Sequence, residues 1–137
     1  SLHIDDLLVT NIDEDHLDYY KTYEKLVHAF QAVIENTKNN VVLNLDNSEL
    51  EQMQLSKKVF HYSSSEKSDI TLREGAAISH KGVEFLVETS MIGKHFKSNI
   101  AGAILIAYLN GISIQDSLLA IKHFPKFYQT QTCALKV

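Results

Sequence analysis

The sequence predicts an α/β fold, a layered sheet with flanking helices and a β-hairpin. Short apolar runs of strand length alternate with segments of helical periodicity in the first half of the chain. A β-branched, alternating stretch follows at residues 69–89, and two more helical segments come after it. Strands and helices that alternate in this way favour a layered domain built around a mainly parallel sheet.

The first half of the chain is predicted to hold three buried strands. Each is a short apolar run that ends in polar residues, as parallel strands do. They are Leu7–Ile12, Val41–Leu45 and Lys58–Tyr62. Apolar residues recur at helical spacing over Lys21–Asn36, which predicts an amphipathic helix between the first two strands. Asp46–Ser48 offers N-cap residues for a short helix that runs through Gln54.

The second half is predicted to begin with antiparallel strands. Asp69–Ile78 and Gly82–Thr89 are typical of a hairpin, although a longer meander at the sheet edge fits the same pattern. His95–Asn110 is rich in small apolar residues, which predicts a helix that packs closely against its neighbours. Gly111 is placed as its C′ residue, and Ser113 opens a last helix that reaches about Phe124.

Size and composition predict one domain, residues 1–137, with a core of its own. The formal charge of −4 and the absence of an arginine cluster argue against nucleic acid as a partner. No apolar window is long enough to cross a membrane, and a single cysteine fits a reducing, cytoplasmic environment. The chain starts without methionine and ends in a strand-like run, so we expect it to be part of a longer polypeptide. The oligomeric state is left open.

Acidic residues and one histidine crowd the end of the first predicted strand, between Asp13 and Asp18. An EF-hand loop does not fit, because Leu17 and Asp18 stand where a ligand and the turn glycine are needed. Asp18 is a candidate cap for the next helix, which leaves the histidine unexplained. The third interpretation is a Mg²⁺ site that uses His16 or a neighbouring carboxylate beside a phosphate. In a parallel sheet, ligands bind at this carboxyl edge.

Two motifs give the chain a family resemblance. The run Val9–Asp18 (VTNIDEDHLD), followed by two tyrosines, resembles the central domain of the Mur ligase family, in particular its alanine-adding branch. Gly93–Ala103 (GKHFKSNIAGA) is similar to that family's Gly-x-His-Asn-x-x-Asn-x-x-Ala-Ala helix start, and Val41–Asn47 to its strand with an acidic turn. The likeness covers nearly the whole chain.

This resemblance implies an ATP-dependent ligase of peptidoglycan precursor synthesis. Such an enzyme joins a nucleotide-sugar substrate to an amino acid through an acyl phosphate, with ATP and Mg²⁺ as cofactors. Carried over by position, the resemblance implies that His16 is a magnesium ligand and that Asn99 and His95 lie beside ATP. Three further residues match the first motif and are expected to support it: Asn11, Asp15 and Asp18.

The chain also departs from the family pattern. Phe96 stands where the family has asparagine, and no arginine pair follows the last predicted helix. The family's phosphate-binding loop lies upstream of the first motif, so the isolated chain is expected to be inactive. Two alternatives therefore stay open: a non-catalytic Mur-like binding module, and an unrelated small α/β domain whose acidic run only caps a helix.

Overall fold

In the computed structural model, the described residues form a mixed sheet of six strands with helices on both faces. The structure describes residues 4–12, 22–89 and 93–123, with all of their side chains except those of Lys94 and His95. The strands are β1 Leu7–Val9, β2 Val41–Asn44, β3 Phe60–Ser63, β4 Ile70–Arg73, β5 Ala77–His80 and β6 Val83–Leu86. The helices are α1 Tyr23–Glu35, α2 Ser48–Gln52, α3 Lys94–Leu109 and α4 Ile114–Lys122.

The strands lie side by side in chain order, and their pairing changes from parallel to antiparallel at β4. Neighbouring strands from β1 to β4 run parallel, whereas β4, β5 and β6 run antiparallel. The parallel step from β3 to β4 uses only the short connection 64–69. This loop doubles back on itself, since Asp69 N–H donates to the His61 carbonyl at 3.0 Å and the Asp69 carboxylate accepts from His61 N–H at 2.8 Å.

Successive side chains of the parallel strands point to opposite faces, so the sheet carries two cores. On one face Leu7, Val9 and Leu43 pack with α1 and α2. On the other face Leu8 and Val42 pack with α3 and α4. The second core extends along the sheet through these buried residues: Tyr62, Ile70, Ile78 and Val87. The result is a three-layer arrangement that confirms the predicted α/β class.

The predicted order of elements is confirmed, with one error in the antiparallel part. The stretch predicted as one strand, Asp69–Ile78, is two strands separated by a turn at Gly75, whose φ is +71°. Of the two alternatives that the sequence left open, the structure has the longer meander, β4–β5–β6. The two-stranded hairpin accounts for only part of it. Lys81 and Gly82, with φ of 50° and 80°, join β5 to β6 as a type I′ turn does.

Helix boundaries agree with the sequence pattern to within a few residues, and the caps explain where the helices begin. Thr22 caps α1, because its hydroxyl accepts from Lys25 N–H at 3.2 Å. Asp18, the cap candidate from the sequence, lies outside the described residues. Ser113 caps α4 as predicted and accepts from Asp116 N–H at 3.1 Å. Within the described ranges, no helix is both long and apolar enough to cross a membrane.

Candidate functional site

A polar cleft opens at the carboxyl edge of the sheet. It has a volume of about 680 Å³ and lies where the ends of β2, β3 and β4 meet the first turns of α3. The lining residues come from all four of these regions: Asn44, Asp46, Ser64, Leu72, Arg73, Glu74, Lys97 and Ser98. Open α/β sheets bind their ligands at this edge, so the fold alone makes the cleft the leading candidate site.

Hydrogen bonds between side chains and backbone tie the ends of three strands together on one side of the cleft. Asn44 Nδ2 donates to the carbonyl of Thr10 at 3.0 Å, which joins the end of β2 to the end of β1. Asn44 Oδ1 accepts from Asp46 N–H at 3.0 Å. The Asp46 carboxylate then accepts from Ser64 N–H and Ser64 Oγ, at 3.0 and 2.9 Å, just beyond β3. This network fixes the strand ends that a ligand would meet.

Helix α3 brings its N-terminal end to the opposite side of the cleft. Gly93 is the N-cap, with φ of +110°, and provides no side chain to cap the helix. No acidic residue lies in the first turn of α3, whereas the first turn of α1 has Glu24. Uncapped amides together with the positive end of the helix dipole favour an anionic or strongly polar ligand.

Two cations line the cleft, Arg73 from β4 and Lys97 from α3, and both already have partners. Arg73, the only arginine of the chain, forms a bidentate pair with Glu66, whose pKa is lowered by the hydrogen bond and charge of the guanidinium. Lys97 Nζ donates to the carbonyls of Arg73 and Gly75 in the turn after β4. Neither cation was expected from the sequence.

Tyr62 is fully buried beneath the middle of α3, where Gly102 faces its ring. A Cβ placed on Gly102 would come within 2.8 Å of its ring, so the helix packs directly on this tyrosine. Burial raises the pKa of Tyr62 to about 12, and the nearby Ser98 side chain moderates that rise. The Tyr62 hydroxyl has no hydrogen-bond partner of good geometry in the part of the chain that the structure describes.

The structure places some of the sequence-predicted residues near this edge. Asn11 is exposed and follows β1, and Asn99 is partly buried on α3, one residue beyond Ser98. Neither is among the described residues that line the cleft. His95 lies in the first turn of α3, but its side chain is not described. The remaining candidates lie outside the described residues: Asp15, His16 and Asp18. Their predicted magnesium role therefore stays a prediction.

Comparison with known proteins decides the family. The family described as the Mur ligase middle domain matches residues 3–107, most of the chain and all of the sheet. The chain belongs to the Mur ligase family. A solved structure titled as a UDP-N-acetylmuramoyl-L-alanyl-D-glutamate–2,6-diaminopimelate ligase has the same fold, with a TM-score of 0.75 and 19% identity over 89% of this chain and 28% of its own.

Curated relatives include more than one kind of Mur ligase. UDP-N-acetylmuramate–L-alanine ligase of Borreliella burgdorferi is 34% identical over 89% of this chain, and that of Dictyoglomus turgidum is 29% identical over 86%. A UDP-N-acetylmuramoyl-L-alanyl-D-glutamate–2,6-diaminopimelate ligase of Clostridium tetani is 29% identical over 79% of the chain. The chain spans 30%, 28% and 24% of the length of these three relatives, respectively.

The donor set of the cleft in this Mur ligase middle domain suits a polar ligand such as a nucleotide. Amide, hydroxyl and carboxylate groups line one side, and Lys97 and Ser98 from the start of α3 line the other. Phe96 does not add a polar group, because its side chain packs against the core on the α3 face. Within the described ranges, no group of three or more His, Cys, Asp or Glu residues is arranged to hold a metal ion.

Sequence reasoning missed Lys97 and Arg73 as residues of the site. Arg73 carried one available signal, since a lone arginine in a chain with many lysines is unusual. Lys97 carried none, because its partners lie 22 and 24 residues away in the chain. The site therefore depends on contacts that local patterns do not reveal.

Proposed function

We propose that this chain is part of the ATP-binding central domain of a longer ligase. The ligase joins the carboxylate of a UDP-linked muramic acid substrate to the amine of an amino acid, in the cytoplasm and as a step of peptidoglycan precursor synthesis. The observation that carries the proposal is the polar cleft between the strand ends and the uncapped start of α3, in a chain of the Mur ligase family. L-alanine is the first candidate amino acid, because two relatives are named for it.

In the proposed reaction, the substrate carboxylate takes the terminal phosphoryl group of ATP, and ADP leaves. The amine then attacks the acyl phosphate, forms the amide bond with loss of a proton, and displaces phosphate. Asn99 and His95, at the start of α3, hold the ATP. His16 would hold Mg²⁺, and the ion would supply positive charge to the transferring phosphoryl group. Asn11, Asp15 and Asp18 orient the loop that carries His16. Asn44 and Asp46 keep the neighbouring strand ends in place.

The substrate contacts beyond this domain come from other parts of the longer protein. The matched relatives are more than three times as long as the region they share with this chain, which leaves room for separate nucleotide-sugar and amino-acid sites. The family's phosphate-binding loop lies upstream of the motif at residues 9–18. We therefore expect the isolated chain to bind ATP weakly and to have no turnover.

A second candidate function is a Mur-like module without catalytic activity. Phe96 favours it, because the family has asparagine at that position and here the side chain is packed into the core. Such a module would still present the cleft, and would bind a nucleotide sugar or a protein without transferring phosphate.

An activity assay on the natural polypeptide that contains this sequence distinguishes the ligase from the non-catalytic binding module. The protein is incubated with ATP, Mg²⁺ and UDP-N-acetylmuramate, with either L-alanine or meso-diaminopimelate, and both phosphate release and the amide product are measured. The ligase proposal expects phosphate and product in equal amounts with L-alanine, and loss of both in His16→Ala. His28→Ala, on the exposed side of α1, is the matched control. A protein without product, in which His16→Ala behaves like the parent, contradicts the proposal and favours the binding module.

A further inference from the structure

Lys97 makes a polar contact between α3 and the antiparallel part of the sheet at the cleft. It lies at the fourth residue of α3, and its backbone N–H donates to the Gly93 carbonyl at 3.2 Å. Its ammonium reaches across to two backbone carbonyls, those of Arg73 and Gly75, in the turn between β4 and β5. One side chain therefore connects the start of a helix to a turn more than twenty residues earlier in the chain.

The position is unfavourable for a lysine unless the charge has partners. A cation near the N-terminal end of a helix meets the positive end of the dipole, and the first turn of α3 has no acidic residue that would offset it. Holding a long, flexible side chain in one conformation also costs rotamer entropy. The two charge-assisted hydrogen bonds to carbonyl oxygens offset both costs. The ammonium of Lys97 therefore stays bound to the turn.

The turn that Lys97 holds forms a wall of the cleft. Arg73 and Glu74 line it from the β4 side, and Lys97 with Ser98 lines it from the α3 side. Gly75 has φ of +71°, a conformation that glycine adopts without strain. The β4–β5 pairing and the bond from Val87 N–H to the Ala76 carbonyl, at 2.6 Å, hold the turn to the sheet, and the lysine contact ties it to α3. The lysine therefore links these two walls of the cleft directly.

We propose that Lys97 is a positioning residue for the nucleotide. By fixing the first turns of α3 against the β4–β5 turn, it sets where Asn99 lies relative to the carboxyl edge of the sheet. This inference rests on the proposed function, because the contact between Asn99 and ATP is part of that proposal. Lys97 itself does not touch the nucleotide, since its ammonium donates to the turn.

The test uses three variants of the natural full-length protein. Lys97→Met removes the ammonium and keeps the length of the side chain, Lys97→Arg keeps donors that can reach the carbonyls, and Lys25→Met is the matched control on exposed α1 at the opposite face of the sheet. KM for ATP, KM for the amino acid and amide hydrogen exchange at Glu74–Ala76 are measured for each.

The proposal expects KM for ATP to rise on the order of tenfold in Lys97→Met, with KM for the amino acid unchanged. Exchange in the turn should become faster in the same variant, and Lys97→Arg should restore both values. A faster-exchanging turn with an unchanged KM for ATP would make the contact merely structural. A raised KM with unaltered exchange would point to direct contact with ATP, and either result overturns the proposal. A parent without ligase activity instead refutes the proposed function.

Discussion

Helices α1 and α3 cover opposite faces of the same sheet, and they differ most at their first turns. Thr22 caps α1 through a hydrogen bond to Lys25 N–H, and Glu24 supplies a negative charge beside the helix dipole. Gly93 begins α3 without a side-chain cap, and no acid follows it in the first turn. The first turn of α1 is therefore capped by its own residues, whereas the N-cap of α3 provides no side chain for its first amides.

The two faces also differ in how closely their helices approach the strands. On the α3 face, Gly102 brings the helix backbone onto Leu8 and the buried ring of Tyr62. On the α1 face, the core covers β1 and β2 and ends near β3, where His61 is only partly buried. The close contact is therefore on the α3 face. Because α3 begins at the cleft, this contact fixes the position of the helix relative to the cleft.

The largest effect should come from adding one methyl group at the close contact. Gly102→Ala puts a Cβ within 2.8 Å of Tyr62 and Leu8. Because a fully buried ring cannot move aside, we expect a cost near the upper end of about 1–3 kcal/mol for overpacking. Alanine gains about 1 kcal/mol in helix propensity, which leaves a net loss of about 2 kcal/mol in the free energy of unfolding. Urea-induced unfolding followed by circular dichroism measures it.

The control for this substitution lies one residue further along the helix. Ala103 is exposed, and Ala103→Gln should change the free energy of unfolding by about 0.5 kcal/mol or less. If Gly102→Ala is as stable as the parent, the helix does not approach the sheet as closely on this face as described here.

A smaller effect is expected from removing the cap of α1. Thr22→Ala deletes the hydroxyl that accepts from Lys25 N–H, and should cost about 1 kcal/mol of stability. Thr22→Ser retains the acceptor and should stay close to the parent in the same unfolding measurement. Equal stability of all three proteins would show that the cap does not distinguish α1 from α3.

The smallest effect is the pH dependence due to His61. Burial lowers the pKa of His61, and the negative charge of Asp69 partly opposes the shift. The unfolded chain therefore binds a proton at higher pH than the folded chain, so this contribution to stability is complete above about pH 6.5 and falls as the pH drops through that value. Unfolding at pH 7.5 and 5.5 should show a smaller loss on acidification in His61→Gln than in the parent. An equal loss in both proteins would rule out this contribution.

Much of the fold followed from local pattern. The apolar spacing of α1 and the runs that became β1, β2 and β3 are strong local signals, and Gly111 and Ser113 ended one helix and began another as expected. The break between β4 and β5 was missed, because a β-branched stretch on both sides of Gly75 gives the same alternation as one long strand. The sequence alone left the hairpin and the meander equally open.

The site was less accessible to sequence reasoning. The motif around Asn99 pointed to the end of α3 that lies at the cleft, and the strand ends pointed to the edge of the sheet where the cleft opens. The contacts of Lys97, and the bonds from Asp46 to Ser64, join residues 18 to 24 positions apart. Such contacts depend on how the helices and strands pack together. Residue types at a fixed spacing in the sequence do not specify that packing.

The most direct test of the account is the ATP dependence of the natural full-length protein with Asn99→Ala. If the open start of α3 faces the nucleotide, KM for ATP should rise about tenfold, which corresponds to the loss of one or two hydrogen bonds of about 1 kcal/mol each. Asn39→Ala, in the exposed turn after α1, should leave KM for ATP unchanged. An unaltered KM for ATP in Asn99→Ala, in an otherwise active ligase, would contradict the assignment of this end of α3 to the nucleotide.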